Sequence, residues 1–184
     1  MGLKCKVIIE VKDKEKSEPL KYVVEKDLGT DWFGRFLRSL FSYVSTNGYA
    51  ELTVTDETGA SRTVRTSGTT LTSLFNNTSG REIGSRIKVG TNGSTASRTH
   101  YNLLGTIEGN QFVTASYVDG SGNVDLTTSF SWGVDKTIYE VGLFLQLGDS
   151  GNITRVVMLD RTVVPTGIYV QIGKTLTITY RISI

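Results

Sequence analysis

Histidine and cysteine occur once each in this chain of 184 residues, and proline and methionine twice each. A single cysteine forbids an intramolecular disulfide. The place of Cys5 in an alternating apolar run fits a small buried hydrophobe better than a reactive thiol. With His100 alone and one distant cysteine, neither a zinc ligand set nor a Cys/His nucleophile pair can be assembled. No apolar run is long enough to cross a bilayer. Met1–Lys6 has neither the apolar centre of a signal peptide nor the Ser or Thr that myristoylation wants at position 6, so folding in a reducing cytoplasm is expected. Charge is balanced as well: 20 Lys and Arg stand against 18 Asp and Glu. That balance gives no global field for nucleic acid or a membrane surface. A G-x-S-x-G nucleophile elbow is also absent.

What the chain has instead is Ser and Thr at 42 positions and Gly at 20. Thr suits pleated strands and Gly suits tight turns, so the composition reads as mainly β in one domain-sized unit. Leu3, Cys5, Val7, Ile9 and Val11 fall on one face, and Lys4, Lys6, Glu10 and Lys12 make up most of the other. A charged turn over 13–18 and a second alternating run through Leu20, Tyr22 and Val24 complete a hairpin. Thr30 or Asp31 then caps a segment in which Phe33, Phe36, Leu37, Leu40, Phe41 and Val44 recur at helical spacing, stopped by Asn47-Gly48. This predicts one amphipathic helix over about 31–46, its aromatic face spent on packing against a sheet.

From Tyr49 onward the period is two. Strands are expected at 49–55, 60–66, 86–89, 111–118, 124–133, 137–147, 153–164, 168–172 and 174–184, with a small-polar loop or arm over 66–80 and another over 90–99. The expected fold is an antiparallel β-sandwich with an N-terminal amphipathic helix. Residues 1–48 form a hairpin and helix packed on or beside a main domain at 49–184.

Three motifs tempt a catalytic or ligand-binding reading, and each fails. Gly167 to Thr175 resembles a phosphate-binding loop, but five residues separate its glycines and a strand pattern follows where a helix is needed, so Gly173-Lys174 reads as a turn. Asp119, Ser121, Asn123 and Asp125 have calcium-loop spacing, yet Val124 stands where Gly is required and Phe130 where a bidentate Glu is required. The carboxylates Glu108, Asp119, Asp125, Glu140 and Asp160 show no spacing that marks an acid–base pair. No catalytic, cofactor-binding or metal residue is therefore assigned, and the chain is read as no enzyme. Sequons at Asn76, Asn77, Asn92 and Asn152 exceed chance only slightly.

Glu140 and Arg161 are charges inside apolar strands. If the turn is Asp149–Asn152, Gly148 faces Ile153 and Glu140 falls opposite Arg161. The expectation is a buried structural ion pair that fixes register.

Five segments in this order resemble the small structural proteins of tailed phages and related bacterial or archaeal viruses: Ile87-Lys-Val-Gly90-Thr-Asn-Gly93, Tyr101-Asn-Leu103, Tyr139-Glu-Val-Gly-Leu143, Leu159-Asp-Arg161-Thr-Val-Val164 and Leu176-Thr-Ile-Thr-Tyr180-Arg-Ile182. The similarity covers about residues 49–184. It implies a jelly-roll-like virion component, made in the host cytoplasm, that contacts copies of itself and other virion proteins through strand edges, the N-terminal hairpin and loop 66–80. It implies no cofactor, no direct nucleic-acid contact and no membrane insertion. The competing reading is a carbohydrate- or receptor-binding module on the same scaffold, with Tyr101, Tyr117, Trp132 and Tyr169 as candidate aromatic platforms. Trp132 alternates with Phe130 and Val134, which favours the core for it.

Overall fold

A computed structural model describes residues 4–12, 19–27, 49–67, 84–97, 99–118, 122–149 and 154–183. The helix expected at 31–46, the hairpin tip at 13–18 and most of loop 66–80 lie outside the described residues, as do Asn76, Asn77, Asp119, Ser121 and Asn152.

Eleven strands are described: β1 (Lys4–Lys12), β2 (Leu20–Asp27), β3 (Tyr49–Thr55), β4 (Ser61–Ser67), β5 (Ser85–Gly90), β6 (Ile107–Phe112), β7 (Thr114–Val118), β8 (Asn123–Ser131), β9 (Lys136–Asp149), β10 (Thr154–Val170) and β11 (Thr175–Ser183). The protein is mainly β, and every ladder is antiparallel. One sheet has the order β2-β1-β11-β8-β7 and the other β3-β4-β9-β5-β6, with β10 also paired to β9.

The first sheet follows from strict alternation. Cys5, Val7, Ile9 and Val11 of β1 and Leu176, Ile178, Tyr180 and Ile182 of β11 all enter the main core. On the opposite face β8 and β11 are zipped by hydroxyl pairs, Thr127 to Thr179 at 3.0 Å, Ser129 to Thr177 at 2.9 Å and Ser131 to Thr175 at 3.1 Å. A two-point Arg181–Asp125 contact at 2.8 and 2.6 Å extends the zip. Six of the Thr and Ser residues are spent on this cross-strand pairing. Because β1 pairs with both β2 and β11, the N-terminal hairpin strands are part of this sheet and its core rather than an attachment to it.

Two expected boundaries shift. The single strand expected at 111–118 is two strands in different sheets, since β6 pairs with β5 and β7 with β8. The chain changes sheet at buried Val113, whose N–H reaches Ser85 O at 3.0 Å. The runs 153–164 and 168–172 form the single strand β10, which pairs with β9 on both sides of an irregularity between Val163 and Ile168. Gly167 takes φ +68 there, and a side chain would run into the ring of Tyr139, so the break needs glycine. Gly173, at φ +81, and Lys174 lie in the turn before β11.

The two sheets share one core, with Val7, Ile9 and Ile178 from the first and Ile87, Val89 and Leu143 from the second. A buried polar bridge ties them. Tyr180 Oη donates to Asp160 Oδ2 at 3.1 Å and to Val141 O at 3.4 Å, while Thr162 Oγ1 donates to Asp160 Oδ2 at 2.9 Å. Burial first, and the nearby Asp160 second, push the Tyr180 hydroxyl well above its ordinary range.

Candidate functional site

The outer face of the second sheet, turned away from the shared core, carries the most concentrated polar chemistry. Strand β9 presents Glu140, Gly142 and Phe144 there, β10 presents Met158 and Arg161, and β5 presents Lys88 and Gly90. The described part of the 91–106 connection between β5 and β6 folds over them.

Glu140 is fully buried and accepts four hydrogen bonds. Its Oε1 takes the N–H of Asn92 at 3.2 Å and of Gly105 at 2.7 Å, and its Oε2 takes the N–H of Leu104 at 3.1 Å and Arg161 Nε at 2.7 Å. The side chains of Glu140 and Arg161 are 0% and 1% exposed. Arg161 then grips the same loop by its carbonyls: Nη1 donates to Ser94 O at 3.0 Å and Thr95 O at 3.4 Å, and Nη2 to Asn92 O at 3.3 Å. The only histidine lies alongside, its Nδ1 accepting from Ser97 N–H at 3.2 Å and standing 3.4 Å from Arg161 Nη1. The acid holds the loop by its N–H groups and the base holds it by its C=O groups.

The register that creates this clasp differs from the expected one. Gly148 faces Thr154, and Leu159 is an extra residue on β10, so beyond it Arg161 faces Gly142 and Glu140 faces Val163. The turn end is offset by one residue, which alone would send Arg161 to the opposite face from Glu140. The bulge adds a second offset and restores the parity, leaving the pair as diagonal neighbours on one face.

An apolar patch seats the loop beside the clasp. Leu103 packs with Phe144 and Met158 in a small second core. Gly142 leaves the space, because a Cβ there would lie 2.6 Å from Phe144 Cε2 and 2.9 Å from Leu103 Cδ2. At Gly90 a Cβ would lie 2.6 Å from Glu140 Oε1, and at Gly105 it would lie 2.5 Å from Asn92 N. Lys88 is buried with its Nζ 4.4 Å from the centre of the Phe144 ring, and it is ion-paired with Glu57. Glu57 also ties the β3–β4 turn to the loop, since its carbonyl accepts Asn102 Nδ2 at 3.2 Å.

The remaining sequence candidates are dispersed. Glu108 pairs with Lys136, Asp125 with Arg181, and Asp160 with Tyr180 and Thr162. Asn123 accepts Ser183 Oγ at 2.6 Å. Tyr101 lies exposed on the loop beside Gly59 and Tyr117 is exposed on β7, while Tyr169 is exposed on β10 with its hydroxyl donating to Asp135. Trp132 is half-buried, stacked on Phe130 with centroids 5.8 Å apart, its indole N–H donating to Glu108 O at 2.7 Å. Of the four sequons only Asn92 is described, and its Oδ1 accepts Ser94 N–H at 2.8 Å within the loop. Among the described residues no group of three or more His, Cys, Asp or Glu is placed to hold a metal ion, and no helix is long and apolar enough to cross a membrane.

Sequence reasoning paired Glu140 with Arg161 but gave no structural role to Lys88, Gly90, Asn92 or Gly142, which stand in the resembling segments, and passed over Gly105. Lys88 carried the same signal as the pair, a charge flanked by Ile87 and Val89 in a strand. Gly90 and Gly142 stood out only as positions of the resembling segments, because the space they leave depends on the loop being overhead. Chemically, a carboxylate whose lone pairs are all engaged has none to offer a substrate, so Glu140 is an anchor. The chain matches no family model, no curated protein and no solved structure.

Proposed function

We propose that the protein is a structural component of a virus particle, capsid-associated, at a vertex or turret, or in the head–tail region, and that it works without catalysis by associating with itself and with other virion proteins. The observation that carries this reading is the convergence of four of the resembling segments. Gly90, Leu103, Glu140 with Gly142, and Arg161 stand in separate strands and a loop, yet all serve one buried clasp. The residues that carry the likeness to virion proteins are thus used to hold a surface loop in one shape. A protein selected for presenting a fixed surface to neighbours uses its costly polar groups in that way.

We read the two sheets as the faces of a β-sandwich. The ladder between first and last strands, and the chain crossing from one sheet to the other at Val113, support a jelly-roll-like winding. Edge strands then supply contact surfaces. The test is the density of an intact particle together with the solution mass of the isolated protein: repeated copies in the particle are expected, and a monomer absent from every particle would overturn the reading. The exposed Tyr101, Tyr117 and Tyr169 favour glycan binding as the second reading, and saturable binding in a glycan screen, abolished by removing one of these rings, would promote it.

A further inference from the structure

Strand β2 is an edge of the first sheet, and among the described residues β1 is its only partner strand. It runs for eight residues with no proline inside it. Of its four charges, Lys21 and Glu25 lie towards the middle on the sheet's outer face, where each meets an opposite charge on β1, while Lys26 and Asp27 close the strand's C-terminal end. Lys21 Nζ lies 3.3 Å from Glu10, and Lys6 Nζ lies 2.8 Å from Glu25. Between them stands Val23, 44% exposed and facing Ile8. On the core-facing side, Tyr22 and Val24 are half-buried against the core.

We infer that β2 pairs antiparallel with β2 of a second copy across a two-fold axis at Val23, joining the two first sheets into one; this rests on the self-association in the proposed function and names its surface. A two-fold centred on Val23 puts Val23 against itself, Lys21 against Glu25 of the other copy, and Tyr22 against Val24. The outer rows then read Glu10, Lys21, Glu25, Lys6 across four strands, alternating in sign at every step, flanking an apolar row of Ile8, Val23, Val23, Ile8. The core-facing rows read Val7, Val24, Tyr22, Ile9 and are apolar throughout. Facing residues have their Cβ atoms about 4.5–5.5 Å apart, close enough for every pair in these rows to interact.

No neighbouring register does this. A two-fold normal to the sheet keeps each face with itself, so the register moves only in steps of two. Moving one way sets Val23 against Lys21, and moving the other sets it against Glu25. Each alternative breaks the Lys21–Glu25 contact and sets Val23 against a charge near the middle of the ladder, whereas the register centred on Val23 sets an apolar residue against a charge only at its ends, Leu20 against Lys26.

Cysteine cross-linking reads the register directly. Facing Cα atoms in an antiparallel pair are about 4.5–5.5 Å apart, within the about 4.4–6.8 Å that a disulfide spans. Under mild oxidation the full-length Val23→Cys protein should form a covalent dimer at least tenfold faster than Lys21→Cys or Glu25→Cys alone. A mixture of the latter two should cross-link as fast as Val23→Cys. Wild-type protein is the control for Cys5, which is buried. Val23→Lys, which faces a like charge across the axis, should lower the solution mass to that of a monomer, with an unchanged circular dichroism spectrum showing that it has folded. Cross-linking of Val23→Cys no faster than of Lys21→Cys overturns the inference, as does an oligomer that Val23→Lys leaves intact. A protein found in repeated copies in a particle but without the Val23 cross-link defeats this interface alone; a cross-linked dimer that enters no particle defeats the virion reading and leaves the interface standing.

Discussion

Replacing Glu140 by Gln keeps the shape of the side chain and removes its charge, so it isolates what the carboxylate does. Two N–H donors reach each of its oxygens. Whichever way the amide turns, its NH2 group faces two donors that lose their acceptor. A buried donor left unsatisfied costs about 1–3 kcal/mol. Arg161 also loses its counter-charge while its own side chain stays buried, and breaking a buried pair from one side costs about 3–5 kcal/mol. These two estimates overlap, because one of the orphaned donors can be Arg161 itself. The loop can also lift and let water in, which caps the loss. The expected loss in urea denaturation at pH 7 is therefore about 3–5 kcal/mol, or on the order of 10 °C in melting temperature for a chain of this size. Amide exchange across 91–106 should speed up together with it. An unchanged midpoint would refute the reasoning, and so would a lowered midpoint with unchanged exchange in the loop. The double variant Glu140→Leu, Arg161→Met separates an ion pair from a loop anchor. Exchanging a buried pair for apolar residues is often neutral. Here it would still orphan the N–H groups of Asn92, Leu104 and Gly105, so recovery to wild-type stability would show that the loop contacts contribute nothing.

Gly142→Ala should destabilise by about 1–3 kcal/mol through overpacking against Phe144 and Leu103, whereas Gly133→Ala, with nothing within 4 Å of the new methyl, should be neutral or slightly stabilising in the same melts. Burial works against the charge of Asp56, but hydrogen bonds from Thr58, Arg62 and Ala60 outweigh it and hold the carboxyl well below the usual carboxylate range. A lowered folded value means stability present above the unfolded value of about 4 and lost as pH falls through the folded one, so the advantage of wild type over Asp56→Asn should shrink steadily below about pH 4. Equal pH profiles for the two proteins would refute it. For Tyr180 the sign is opposite: its raised value gives stability that is full below about pH 10 and lost as pH rises beyond it. Tyr180→Phe should leave the phenolate absorbance gained by the folded protein near pH 10 unchanged, and a drop equivalent to one tyrosine would show that this ring titrates normally.

The strands were legible wherever one face is buried and the other wet. β11 alternates without a break and β1 with the single exception of Ile8, and both lie where a period of two places them. Legibility fails where the chain does something a one-dimensional pattern does not encode. Ile107 to Val118 alternates poorly because its two halves answer to different sheets, and Val113 between them is buried by both. The bulge at Leu159 is equally hidden, since Leu159 and Asp160 simply read as an apolar residue followed by a charge. The charged pair itself was visible because an acid and a base in apolar strands each demand a partner. What they partner with was not visible, because three of the four donors to Glu140 are backbone N–H groups, which every sequence has.

That last point explains why the clasp is ionic. Residues 91–106 include few apolar side chains, and in the described part of the loop Leu103 is the one large apolar residue that is buried. Burying a single leucine is worth about 1.5–3 kcal/mol, while fixing each residue's backbone costs about 1–2 kcal/mol, so hydrophobic contact alone cannot hold a loop of this length in one conformation. The handles left are its peptide groups. A carboxylate can accept several N–H groups at once, and a guanidinium can donate to several carbonyls at once. Placing one of each on adjacent strands beneath the loop grips both kinds of peptide group from a rigid base. An apolar floor would leave the loop free to slide, because such contacts have no direction. Directional bonds to Asn92, Leu104 and Gly105 at one end of the clasp, and to Ser94 and Thr95 at the other, select one arrangement. The charges inside β9 and β10 are thus the structural counterpart of a surface loop too polar to hold itself in place.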